Sequence, residues 1–268
     1  MDKLFDIGFL ILSQIAVGGT LLMNLLDIRI TGKVLFRTNG ILFLISITLA
    51  LFLFSFNHQF SVTDRNGIGI CLLVYMVFLF LHLLTLWLGR ESLGKGALWI
   101  SSAVGLIGLV WSGVAYSRPL TPDILTYLLP INFCFSALLM GAGLVGMNLG
   151  HCYLTNIHLP ISPYKRLSYL FLLFLIFQAL VSLISLVQLR DFDLIKKAIY
   201  LENIEGLFLW IRILIGFLAP LVLIFMILHT VRIRSTQSAT GLMYVAMMMV
   251  ISGEFFSRFF LLASQRLL

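Results

Sequence analysis

The stretch Gly67-Ile68-Gly69-Ile70-Cys71-Leu72-Leu73-Val74-Tyr75-Met76-Val77-Phe78-Leu79-Phe80-Leu81-His82-Leu83-Leu84-Thr85-Leu86-Trp87-Leu88-Gly89 contains no Asp, Glu, Lys or Arg. A helix of roughly 20 apolar residues crosses the ~30 Å hydrocarbon core of a bilayer, whereas a barrel strand needs only about 10. The stretch therefore reads as a membrane-spanning helix. Working outward, runs of the same kind fall near Ile7 to Leu26, Asn39 to Phe56, Ala97 to Tyr116, Ile124 to Leu149, Leu167 to Leu189, Leu207 to Val231 and Gly241 to Ala263. Together with the quoted stretch they make about eight spans. Backbone groups in hydrocarbon must be satisfied within each segment, so a helical bundle is the architecture these runs allow.

Composition agrees: 60% of the residues are apolar, only 11% are charged, and the mean hydropathy is +1.07. A soluble domain carries roughly 25% charged residues, and a soluble fold could not cover this much apolar surface. The expectation is an all-α polytopic membrane bundle forming one integral domain over residues 1–268. No low-complexity segment or short repeat stands out. The N-terminus, Met1-Asp2-Lys3-Leu4-Phe5-Asp6, lacks a basic n-region and no small-residue cleavage site follows, so the first run is expected to be retained as a helix.

The formal charge of +7 is spread over short loops without a clustered basic stripe, so no nucleic-acid partner is expected. The odd-numbered loops hold Arg29, Lys33, Arg37, Arg90, Lys95, Lys165, Arg166, Arg232 and Arg234, opposed only by Asp27 and Glu91. The termini and even-numbered loops are nearly neutral. The positive-inside bias then makes the odd loops cytoplasmic and turns both termini outward. The connection from Arg190 to Gly206 carries Ile195, Ala198, Ile199 and Leu201 at helical spacing, the pattern of a short interfacial helix. Its acids, Asp191, Asp193, Glu202 and Glu205, read as a docking surface or, more simply, as solvated outer-loop charge.

An ionisable side chain near the middle of a span costs roughly 2.5–3.5 kcal/mol on insertion scales. Three stand out. Glu254 and Arg258 are four apart in the last span and share a face, and Arg212 lies inside the seventh. Gln14 of the first span and Gln178 of the sixth fall at similar depth, so five polar side chains from four helices are candidates for one pocket. The alternative is that Glu254 and Arg258 neutralise one another while Arg212 snorkels to the interface. A second group lies toward the other face: His82, then Asn148-Leu149-Gly150-His151, then His158. These histidines are candidates for proton transfer or interface anchoring, and His82 with His151 is the one pair conceivable for haem. Cys71, Cys134 and Cys152 lie far apart, so no iron–sulfur cluster or other bound metal is expected in this chain. Hydrolase, zinc-protease and nucleotide-loop motifs are absent from the sequence. Gly18-Gly19 and Gly141, Gly143 and Gly146 are small-residue positions suited to close helix packing.

The last span, Gly253-Glu254-Phe255-Phe256-Ser257-Arg258-Phe259-Phe260-Leu261-Leu262, resembles the closing helix of quinol-oxidising anchor subunits of the polysulfide-reductase (NrfD-like) and DMSO-reductase-anchor kind. The eight-helix count, the outward termini and the Gly18-Gly19 step are similar too. The resemblance implies a respiratory subunit of the bacterial cytoplasmic (inner) membrane, with periplasmic termini. It would bind a quinol, menaquinone or ubiquinone type, near the outer face and exchange electrons with an iron–sulfur or cytochrome partner. Glu254 would accept protons, Arg212 or Arg258 would stabilise its charge, Gln14 or Gln178 would hydrogen-bond a quinone carbonyl, and Trp210 and Phe255 are ring-contact candidates. Two other readings stay open: a secondary transporter or proton conductor using Glu254 with the two arginines, and a structural assembly subunit. Pro220 is the one proline deep inside a span, with Pro130 near an outer end, so matched broken helices are not evident.

Overall fold

A computed structural model describes residues 2–57, 60–118, 124–156, 159–188 and 204–264. Among them are eight helices long and apolar enough to cross a membrane, and no strand. The spans are α1 (Asp2–Met23), α2 (Lys33–Phe54), α3 (Val62–Trp87), α4 (Glu91–Ser117), α5 (Ile124–Thr155), α6 (Ser162–Gln188), a composite α7 and α8 (Thr236–Ser264). Helix α7 runs through Ile204–Ile211, a π-helical segment Arg212–Leu218, and Ala219–Arg232. The chain is an all-α polytopic bundle and an integral membrane protein.

Most helices extend a turn or more beyond the apolar runs, because hydropathy marks the hydrocarbon slab while the helix continues into the polar zone. At the start of α3 the Ser61 side chain accepts from the Asp64 amide at 3.2 Å, capping a first turn that the apolar pattern omits. Helix α1 stops at Met23 instead of Leu26. Asp27 then caps a four-residue turn, Ile28–Thr31, by accepting from the Arg29 amide. The interfacial helix expected between Arg190 and Gly206 lies largely outside the described residues, as do Asp191, Asp193, Glu202, His58 and His158.

Helices α1 and α5 form the centre and are the most deeply buried of the eight. Helix α1 packs on α2, α4, α5 and α8, and α5 packs on α1, α4, α6 and α8. Each heads a set of four in which consecutive helices touch and the fourth returns to the first. The crossed contacts also correspond, α4 against α5 and α8 against α1, so α5–α8 repeat the order of helix contacts made by α1–α4. No short repeat in the sequence announces this pattern.

At the centre the two backbones nearly touch. A Cβ on Gly18 would overlap the Ala137 carbonyl, and one on Gly141 would lie 2.6 Å from the Gly19 nitrogen. Only glycine permits that approach, which confirms the packing role expected of these positions. The outer helices instead present Phe52, Phe80, Val222, Phe225 and Met248 outward, an apolar belt suited to lipid.

Side-chain bonds tie the helix ends together. On the termini face, Asn57 donates to Asp6 at 2.5 Å and to the Tyr116 hydroxyl at 3.0 Å, linking α1, α2 and α4. Arg118 pairs there with Asp64. On the opposite face Lys33 pairs with Glu91 at 2.7 Å, and Arg166 donates to the Leu25 carbonyl at 3.3 Å.

Gly18→Ala is expected to destabilise the bundle by about 1–3 kcal/mol through overpacking. Gly96→Ala meets nothing within 4 Å and is expected to match or slightly exceed the native chain, as alanine does in helices. Thermal melts of the detergent-purified proteins compare them, and equal melting temperatures for the two variants would contradict the close α1–α5 crossing.

Candidate functional site

Side chains from five helices meet in the half of the bundle nearer the termini. Gln14 comes from α1, Asn132 and Ser136 from α5, Gln178 from α6, Arg212 from α7, and Glu254 and Arg258 from α8. Counting from the helix ends on that face, they lie about 9–18 Å deep at ~1.5 Å per residue. All seven are buried, Arg212 being only 2% exposed.

Glu254 is the hub. Its Oε1 accepts from Arg212 Nη2 at 2.8 Å and from Gln178 Nε2 at 3.2 Å, while Oε2 accepts from Arg258 Nη2 at 3.1 Å. Arg258 also donates through Nη1 to Asn132 Oδ1 at 2.8 Å and through Nη2 to Gln14 Oε1 at 3.3 Å. Ser136 donates to the same Gln14 oxygen at 3.1 Å. The five side chains singled out in the sequence thus form one network. Arg212 does not snorkel.

Local backbone features let Arg212 reach Glu254. Pro220 has no amide hydrogen, and the ladder before it shifts to π spacing, with the Ala219 amide donating to the Leu214 carbonyl. Gly216, inside the π segment, meets Gly253 of α8: a Cβ on Gly216 would lie 3.0 Å from the Gly253 Cα and 3.3 Å from the Arg212 Cδ. The two glycines therefore open the groove along which the Arg212 side chain runs. The guanidinium groups rest on aromatic faces, Arg212 over Phe217 at 4.3 Å and Arg258 over Phe133 at 4.4 Å.

Two guanidinium groups face one carboxylate, which leaves this cluster one positive charge in excess. Several buried polar atoms within it have no hydrogen-bond partner in the protein: Gln14 Nε2, Asn132 Nδ2, Gln178 Oε1, Arg212 Nε and Arg258 Nε. Four of the five are donors. Such a set favours a ligand that supplies acceptor oxygens or negative charge.

Beside the cluster lies a crevice of about 310 Å³ between α6 and α7, walled by Leu175, Ala179, Leu183, Ile213, Phe217 and Leu221. Its rim includes Leu180 and Leu218, which are exposed on the lipid-facing surface. Phe217 connects the two features, standing in the crevice wall while Arg212 stacks on its ring.

The histidines stand apart. His82 is buried near the opposite face, with Nδ1 2.7 Å from the Gly94 carbonyl and its ring against Phe36. His151 lies on an exposed face of α5, so the two are not brought together as a haem pair. Trp210 is half-buried, and Phe255 packs edge-on against Phe256 at 5.7 Å. Cys71, Cys134 and Cys152 are free thiols, and among the described residues no three His, Cys, Asp or Glu side chains gather as for a metal.

Sequence reasoning missed Asn132, Ser136 and the Gly216–Gly253 contact. The spacing of Asn132 and Ser136, four apart in one span, repeats that of Glu254 and Arg258 and was the available signal. Compared with family models, curated proteins and solved structures, the chain matches none.

The charge balance makes an asymmetric prediction. Glu254→Gln leaves two buried guanidinium groups without a counter-charge and is expected to cost about 3–5 kcal/mol. Arg212→Gln leaves a neutral Glu254–Arg258 pair and is expected to cost clearly less. Thermal unfolding in detergent reads the order, and a larger loss for Arg212→Gln would contradict the excess-charge account.

Proposed function

We propose that this chain is the membrane-anchor subunit of a respiratory oxidoreductase and binds a quinol of the menaquinone or ubiquinone type at the Glu254 cluster. The observation that carries the reading is a lipid-facing apolar crevice whose wall residue Phe217 carries the Arg212 guanidinium that pairs with the buried Glu254 carboxylate. A quinol needs an apolar slot for its ring and tail, hydrogen-bonding groups for its oxygens, and a base. The α6–α7 crevice supplies the slot. Gln178 Oε1 is an acceptor for a quinol hydroxyl, and Arg212 Nε is a donor for a quinone carbonyl.

In this mechanism Glu254 takes a hydroxyl proton and the excess positive charge stabilises the quinolate that forms. The transfer moves a proton within the cluster and leaves its total charge unchanged. Oxidation of one quinol to quinone releases two protons and two electrons. Glu254 passes the protons in turn to the near face, and the electrons go to an iron–sulfur or cytochrome partner subunit. The basic odd-numbered loops orient that near face outward, with periplasmic termini in a bacterial cytoplasmic membrane.

The π segment favours this reading over transport. Broken helices of transporters come in matched halves, whereas α3, which holds the place in the first set of four that α7 holds in the second, is regularly helical from Val62 to Trp87.

Ala179→Trp fills the crevice without touching the charged cluster. In the intact complex it is expected to raise the KM for quinol about tenfold or more, a loss of ~1.4 kcal/mol of binding or greater. Mass spectrometry of the purified complex checks that the partner subunits remain. Unchanged quinol-dependent turnover in an assembled complex would contradict the proposal.

A further inference from the structure

A second site lies near the other face, independent of the quinol reading. Helices α1 to α4 surround a partly open void of about 20 Å³ bounded by Asn24, Phe36, His82, Glu91, Lys95 and Leu98. About 10–15 Å³ is enough to hold one water molecule. Two of the residues that line it, Asn24 and His82, each hold a buried acceptor atom without a partner. Asn24 spends its amide hydrogens on the Thr20 carbonyl, 3.1 Å, and the Ser102 hydroxyl, 2.7 Å, and its Oδ1 has no donor. His82 Nδ1 faces the Gly94 carbonyl, which can only accept, so Nδ1 carries the hydrogen and Nε2 presents a lone pair. That Nε2 has no partner either.

We propose that this void is a one-water, proton-exchange site, in which a water donates to His82 Nε2 and Asn24 Oδ1 and exchanges protons with the imidazole from the face opposite the Glu254 cluster. A single water has the two donor hydrogens that the two acceptors require. When His82 is protonated, Nε2 becomes a donor, and Asn24 Oδ1 or the water's oxygen accepts from it. The route outward passes Glu91, half-buried, and Lys95, exposed. The charged groups around the imidazole come from the elements packed against α3. From α4 these are Glu91 and Lys95. From α2 they are Lys33, paired with Glu91, and Arg37, which donates to the Leu86 carbonyl at 3.1 Å. Asn24, at the end of α1, adds no charge. Glu91, the one carboxylate among the residues lining the void, is the group placed to offset a proton on His82.

Deuterium exchange at the imidazole C2 carbon, followed residue by residue by mass spectrometry, reports both water access and titration. The full chain in detergent carries its own references, since His151 and His229 are exposed. His82 is expected to exchange with a sigmoidal pH profile, more slowly than the two references. Asn24→Leu, whose melting temperature shows that it is folded, is expected to slow His82 on the order of tenfold by closing the void. Asn24→Ser, which keeps a polar wall and adds room, is expected to leave exchange equal or faster. A His82 that stays unlabelled while His151 and His229 exchange would show the void to be dry and overturn the proposal. Equal exchange in Asn24→Leu and the native chain would overturn it too.

Discussion

A carboxylate held between two guanidinium groups in the low-dielectric middle of a membrane bundle is the constraint on which the rest of this structure depends. Glu254 is bonded to Arg212 and Arg258 and is fully buried. None of the three groups is tolerable alone at that depth, because an isolated charge in hydrocarbon costs several kcal/mol. Their side chains come from α7 and α8, and the amides that complete their hydrogen bonds come from α1, α5 and α6. Those five helices are thereby fixed in rotation and register. Apolar packing, which is non-directional, could not fix them so.

The geometry around that constraint has small-residue solutions. Gly18 and Gly141 let α1 and α5 cross in backbone contact, which brings Gln14 beside Asn132 and Ser136. Gly216 and Gly253 do the same for α7 and α8, and the π segment before Pro220 shapes the turn that carries Arg212. The first half of the bundle repeats the order of helix contacts, but its ion pairs, Asp64–Arg118 and Lys33–Glu91, lie at the helix ends. Polar groups also gather near both ends, in the Asp6–Asn57–Tyr116 cluster on one face and the His82–Asn24 cavity near the other, while Gln14 of α1 joins the Glu254 cluster. The two halves therefore share a packing order and differ in chemistry.

Much of this was legible in the sequence because membrane insertion penalises polarity so strongly. Eight spans follow from apolar run length, and Gln14, Gln178, Arg212, Glu254 and Arg258 are conspicuous because each is costly where it stands. Their common depth then suggests convergence. Asn132 and Ser136 were quieter signals, since one amide and one hydroxyl cost less and serine is common in spans. The Gly216–Gly253 contact involves glycines with no neighbouring pattern, and the π shift arises from a proline whose effect on the preceding turn depends on packing. The helix ends were misplaced because polar caps lie beyond the apolar stretch. That His151 turns to an exposed face while His82 is buried was not legible, because linear depth carries no information about which face a side chain takes.

In the proposed function a quinone head group sits at the wall of the α6–α7 crevice formed by Phe217, on which the Arg212 guanidinium stacks. Photoaffinity labelling of native membranes with an azidoquinone, followed by peptide mapping of the full chain, measures this directly. Label is expected to concentrate on the α6 and α7 peptides around Leu183 and Phe217 and to be displaced by excess unlabelled quinol. Label spread evenly over the lipid-facing helices and unaffected by quinol would contradict it.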